Sequence, residues 1–120
     1  LPDHFIKRVN KNNKFHFIYK NKDLISYGWS SINKKFLITE INSEIKNDNN
    51  VIFFDFYTIK SFRKKGFYQI LLKKMLISFR VYNCYIYTTF FNIKSLKAIY
   101  KSNFKFINFF TFFRKTIDLN

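Results

Sequence analysis

The sequence predicts an α+β fold of mixed type: a mostly antiparallel sheet with one parallel βαβ unit and flanking helices. Three observations predict it. Val51–Ile59 (VIFFDFYTI) is dense in β-branched and aromatic residues, as in a buried strand. From Phe67 through Ile70, Leu71, Met75 and Phe79, apolar residues recur at helical spacing. Cys84–Thr89 (CYIYTT) is a further strand-like run. Strand, helix and strand in succession form a βαβ unit, whose two strands run parallel and are joined right-handedly.

The other elements follow in chain order. Pro2–Arg8 reads as the end of a helix, with Pro2 or Asp3 near a start signal. Lys14–Lys20 (KFHFIYK) alternates as a strand does, and Asn21-Lys22-Asp23 tolerates the left-handed backbone of a turn. Leu24–Ser31 is then the return strand of a hairpin. Phe36–Ile41 (FLITEI) is either another strand or the tail of that hairpin, and Asn42–Asn50 is polar and reads as a loop. Asn92 is an N-cap for a helix over Ile93–Ser102, and Asn103 suits a left-handed position just past its end. Phe104–Asp118 reads as two strands around Asn108.

At 120 residues the chain has room for one domain with one core. Its single cysteine, Cys84, excludes an internal disulfide framework and favours a reducing, cytoplasmic setting. Charged residues interrupt every apolar run, so no stretch predicts a membrane span, and LPDHF has neither the basic leader nor the apolar core of a signal peptide. The net charge of +15 has two readings. One is a binder of nucleic acid or of an acidic ligand. The other is coding composition: Phe, Lys, Asn, Ile and Tyr, all encoded by A/T-rich codons, dominate, while Gly, Ala, Pro and Arg are scarce. Lys and Arg are spread along the whole chain, which argues against a nucleic-acid stripe.

The basic turn Lys60–Gly66 lies between the predicted strand and helix. That layout puts free backbone N–H groups and the positive end of a helix in one place, suited to an anion such as a phosphate. The residues Arg63-Lys64-Lys65-Gly66-Phe67-Tyr68 match the first Arg and first Gly of the pattern R/Q-x-x-G-x-G/A, with Tyr68 in place of the last small residue. Downstream, Asn92, Ser95, Tyr100 and Lys101-Ser102-Asn103-Phe104 follow a second pattern, with Asn103 in place of a Gly. In both, Val51–Lys105 resembles the core of the GNAT superfamily of acyl-CoA-dependent N-acyltransferases. The first half of the chain fits that family only in the order of its elements. The expectation is one GNAT-like domain over residues 1–120, lacking or trimmed of the family's N-terminal strand and helices.

The resemblance implies an acetyl-CoA-dependent N-acetyltransferase that acts on a primary amine by direct transfer in a ternary complex. It implies that Arg63, Lys64, Lys65, Gly66, Phe67 and Tyr68 hold the CoA pyrophosphate, and that Asn92 and Ser95 bind cofactor as well. It implies that the strand end Tyr57-Thr58-Ile59 pairs its backbone with the pantetheine arm and aims an N–H at the thioester carbonyl. Tyr100 matches the family's general acid; the alternative is an aromatic packed on the core with Leu96 and Ile99. Candidates for the base are Asp55, Glu40 and His16. Asp55 is a carboxylate inside an apolar strand, so it is either paired or functional. Glu40 closes an apolar run, and a lone His on the face of Ile18 suits a structural role. No His/Cys cluster suggests a metal.

The phrase DFYTIKSFRKKGFYQILL also resembles, loosely, GNAT-like proteins of surface-glycan synthesis. That implies a small-molecule amine acceptor, an amino sugar that is often nucleotide-linked, on which Tyr27 and Trp29 stack unless they pack in the core. The alternatives are a protein or peptide amine and, in another class, a non-catalytic basic interaction module.

Overall fold

A computed structural model describes residues 3–33, 35, 49–87, 93–108 and 111–114. The elements are α1 (Asp3–Arg8), β1 (Asn13–Lys20), β2 (Asp23–Ser31), β3 (Asn50–Thr58), a 3₁₀ turn (Lys60–Phe62), α2 (Phe67–Ser78), β4 (Asn83–Tyr87), α3 (Ile93–Lys101), β5 (Lys105–Asn108) and β6 (Thr111–Arg114). Six strands form one sheet in the order β1-β2-β3-β4-β6-β5. Only β3 and β4 run parallel among the described pairs; the others are antiparallel. The mixed sheet and its parallel βαβ unit are as the sequence predicts. Phe36–Ile41 lies outside the described residues.

Two apolar clusters flank the sheet. On one face Val51 and Phe53 of β3 meet Leu71, Leu72, Met75 and Leu76 of α2 and Ile99 of α3. On the other face Trp29, Ile52 and Phe54 are covered in part by Phe5 of α1. Alternation along β3 explains the division as far as Phe54: Val51 and Phe53 face α2, while Ile52 and Phe54 face α1. Within α2 the inward stripe is Leu71, Leu72, Met75, Leu76 and Phe79, a one-sided helical pattern. Ile70, read as inward-facing, is exposed instead.

Local signals hold at the turns. Asn21 takes φ +58° in the β1–β2 turn. Asn103 takes φ +66°, and its N–H donates to Tyr100 O while the Phe104 N–H donates to Ile99 O. That pair of bonds is a Schellman ending of α3, with Asn where Gly is usual. Asn50 departs from expectation. It reads as loop, yet it opens β3 and is buried, because the parallel ladder starts there opposite Asn83.

Candidate active site

The site begins where β3 and β4 part. Among the described residues their parallel pairing runs as far as Phe53 opposite Ile86, while β3 runs on to Thr58. Beyond that point β3 has β2 on one side and, among the described residues, an opening on the other. The Ile59 N–H donates to Ile25 O at 2.8 Å and so points at β2. Strand alternation then turns the backbone groups of Phe56 and Thr58 toward the opening. Of the strand-end residues that the sequence reading named, Tyr57 and the Ile59 N–H face β2, and the Ile59 carbonyl accepts from the Phe62 N–H in the turn. Phe56 is the residue that the sequence reading missed.

A β-bulge sits in the same segment. Trp29 faces Phe54 and Tyr27 faces Tyr57, so Gly28 alone faces both Asp55 and Phe56. Asp55 takes φ +51°, a left-handed backbone that Asp tolerates better than most residues. Strict alternation would aim Asp55 at the core beside Phe53. The bulge delivers it to the α1 face, where its carboxylate pairs with the Arg8 guanidinium at 2.8 Å. Phe56 then swings back to the α2 face and meets the Tyr68 ring edge-on at 5.0 Å. Gly28 makes room for it: a Cβ there would lie 2.5 Å from the Phe56 ring.

On the α2 face the opening widens into a cleft of about 560 Å³. Phe56, Tyr57 and Thr58 form one wall, and Lys97 and Ala98 of α3 form another. The floor is the turn and first residues of α2, including Lys64, Gly66, Phe67 and Gln69. Gly66 is the residue before α2 and takes φ +82°, which an L-residue adopts only under strain. A Cβ on Gly66 would meet no atom within 4 Å, so its role is conformational and the space beside it is open. The Ile70 N–H donates to Gly66 O, which leaves the N–H groups of Phe67, Tyr68 and Gln69 ahead of the first helical bond. The N-cap residue Gly66 has no side chain to cap the helix, and the first turn holds no acid. The α2 N-terminus therefore offers donors and a positive dipole end to the cleft.

The basic residues of the turn divide their work. Arg63 Nε donates to Thr58 O at 2.9 Å, and its guanidinium lies 5.5 Å from the Tyr57 ring, so it ties the turn to the strand end. Lys64 takes φ +66° and lines the cleft. Lys65 lies 5.4 Å from the Phe62 ring and, like Ile59, is outside the described cleft lining. Tyr68 lines the cleft and turns its ring onto Phe56.

Tyr100 is 56% exposed, while Leu96 and Ile99 pack in the core, so the core-packing alternative does not hold. It sits two residues past Ala98, outside the described lining of the cleft. Glu40 and Asn92 lie outside the described residues, as does the side chain of Ser95. Trp29 is fully buried, which is the core-packing outcome; Tyr27 is half-buried. Burial, then the negative charge of Asp55, pushes the Tyr27 phenol above its ordinary range. His16 shares the α2 face with Ile18 and bonds Ser30 Oγ at 2.8 Å. Burial, then the charge of Lys14, holds its pKa down to about 4.

A second cleft, of about 400 Å³, opens on the α1 face of the same bulge. Arg8, Phe54 and Asp55 line it, with Asn13, Ser31, Asn33 and Tyr87. Asn13 Nδ2 donates to Arg8 O, which fixes the end of α1 against β1.

The fold built from these elements is similar to that of solved N-acetyltransferase structures. No protein-family profile matches the sequence, and no characterised protein matches it by sequence. Solved structures match it by fold. The ribosomal-protein-S18-alanine N-acetyltransferase of Escherichia coli aligns at TM-score 0.68 and 8% identity, over 88% of this chain and 61% of that one. The Campylobacter jejuni N-acetyltransferase PseH, solved with acetyl coenzyme A, aligns at 0.67 and 17%, over 95% and 77%. Arabidopsis thaliana NAA60, solved with acetyl-CoA, aligns at 0.64 and 12%, over 94% and 81%. The chain thus spans 61% to 81% of the length of these proteins.

Proposed function

We propose that this protein is an acetyl-CoA-dependent N-acetyltransferase acting on a primary amine. The observation that carries the reading is the cleft itself: where the described β3–β4 pairing stops lies a helix N-terminus whose entry residue, Gly66, is left-handed with open space beside it. The cleft fits a substrate with an anionic end and a long neutral arm. The backbone N–H groups of Phe67, Tyr68 and Gln69 hold the pyrophosphate, with Lys64 beside them. The edge of β3 at Phe56 and the Thr58 N–H takes the pantetheine arm, the Thr58 carbonyl being held by Arg63. Acetyl-CoA supplies an activated acyl thioester.

The residues of this chain then do three things. Backbone donors at the strand end stabilise negative charge as it develops on the carbonyl oxygen. Tyr100 protonates the departing thiolate. Asp55, at the second cleft, faces the incoming amine and takes the proton that its nitrogen sheds as the N–C bond forms and the C–S bond breaks. Transfer is direct, with both substrates bound together. The acceptor is a small-molecule amine, and an amino sugar is favoured by the likeness of the strand–turn phrase to glycan-associated proteins. A protein or peptide amine is the second reading, favoured by the fold similarity to the S18-alanine enzyme.

A nucleic-acid module fits less well. Lys7 on α1 and Lys73 and Lys74 on α2 are exposed on opposite faces of the sheet, not gathered in one track. The buried thiol of Cys84, which is in no disulfide, suits a reducing, cytoplasmic setting.

The test is calorimetric titration of acetyl-CoA, with ADP and a short oligonucleotide as controls. Saturable acetyl-CoA binding tighter than ADP is expected. Failure to bind acetyl-CoA, alongside salt-sensitive oligonucleotide binding, would replace this reading with the interaction module.

A further inference from the structure

The Arg8–Asp55 pair stands at the mouth of the second cleft, on the sheet face away from the first. Both side chains keep contact with water, at 34% and 56% exposure. An ion pair so exposed contributes little to stability. The fold nevertheless goes to some length to form it. A bulge and a left-handed φ bring Asp55 to this face. Asn13 anchors the Arg8 carbonyl, and the guanidinium lies 4.8 Å from the Trp29 ring and 5.6 Å from the Phe54 ring. Stacked on these rings, Arg8 is oriented whether or not Asp55 is paired.

The rest of the lining is neutral and of two kinds. Asn13, Ser31 and Asn33 carry amides and a hydroxyl, while Phe54 and Tyr87 add aromatic surface. Hydrogen-bonding groups beside aromatic planes suit a hydroxylated ring. A volume near 400 Å³ is at the small end for a ligand site. Asp55 is the one acid and Arg8 the one base in the described lining.

We propose that this cleft selects the acceptor, and that the Arg8–Asp55 pair is exchanged for the acceptor's own charges. The acceptor is a small hydroxylated amine that carries an anionic group, such as an amino-sugar phosphate or its nucleotide-linked form. Its ammonium takes the place of Arg8 on Asp55, and its anion takes the freed guanidinium, where a planar fork suits phosphate or carboxylate. An acceptor with both charges leaves neither side chain unpaired. A neutral sugar, or an amine without an anion, breaks the pair and replaces half of it. The inference rests on the N-acetyltransferase reading for its purpose and on the cleft alone for its chemistry.

The test measures binding of glucosamine 6-phosphate, glucosamine and glucose 6-phosphate to the whole protein by calorimetry, with and without saturating CoA. The wild type should bind glucosamine 6-phosphate about tenfold or more tightly than either of the others. Arg8→Gln should erase the preference over glucosamine. Asp55→Asn should erase the preference over glucose 6-phosphate; Asn also tolerates the left-handed backbone there. Each variant should keep the other preference, which loss of folding would not produce. Equal binding of all three probes by the wild type would overturn the proposal, as would variants that keep both preferences. Selective probe binding without any CoA binding would uphold it while removing the acetyltransferase reading.

Discussion

Arg8 and Asp55 are 47 residues apart in the chain, and their side chains meet at 2.8 Å. The contact joins the last residue of α1 to the bulge of β3, and the bulge also places Phe56 in the first cleft. One extra residue in one strand thus sets the walls of both clefts.

Gly66 separates conformation from space. Gly66→Ala should lower stability by about 1 kcal/mol, because φ is +82° there, and should keep acetyl-CoA binding, because the added Cβ meets nothing. Gly66→Glu should carry a similar conformational cost and also abolish acetyl-CoA binding, since its carboxylate would stand beside the pyrophosphate. Denaturant melts and calorimetry report the two effects separately. Unchanged affinity in folded Gly66→Glu would mean that the pyrophosphate lies elsewhere.

Gly28 is a matter of space. Gly28→Ala should destabilise the fold by about 1–3 kcal/mol, because its Cβ would lie 2.5 Å from the Phe56 ring. Acetyl-CoA binding should weaken as well, since the displaced ring lines the cleft. Wild-type stability in the variant would show that the ring repacks freely.

Tyr100→Phe tests proton delivery. Its kcat should fall on the order of 100-fold, with the affinity for acetyl-CoA kept. Wild-type turnover would remove Tyr100 from the chemistry. Its exposure predicts little change in stability either way.

His16 should make stability pH-dependent. Its folded pKa, about 4, lies below the ordinary 6.5, so the unfolded chain takes up the proton first as pH falls. Stability is therefore full above about 6.5 and declines as pH drops toward 4. The loss should be on the order of 1 kcal/mol, less than the full shift implies, because the ring retains some solvent. His16→Gln removes the titration and should flatten that part of a Tm-against-pH curve. An unchanged slope would assign the dependence to other groups.

Much of the fold can be read from local chemistry. The hairpin and the βαβ unit fall within a residue or two of where alternation and helical spacing put them, and the closing strands read over Phe104–Asp118 are described over Lys105–Asn108 and Thr111–Arg114. The left-handed turns at Asn21, Gly66 and Asn103 follow from residue types that tolerate φ above zero. What could not be read depended on partners. Asn50 is polar, yet a parallel ladder buries it. Ile70 is apolar, yet Leu72 and Leu76 take the inward face.

By itself the sequence determined the order of elements and the basic glycine turn ahead of α2, because propensity and turn chemistry act over a few neighbours. Only the tertiary structure decided where β3 leaves β4, which strand carries the bulge, and that Asp55 turns from the core to meet Arg8. Those outcomes depend on register between strands distant in the chain. Register is settled by which faces can be buried together, and no local stretch encodes that.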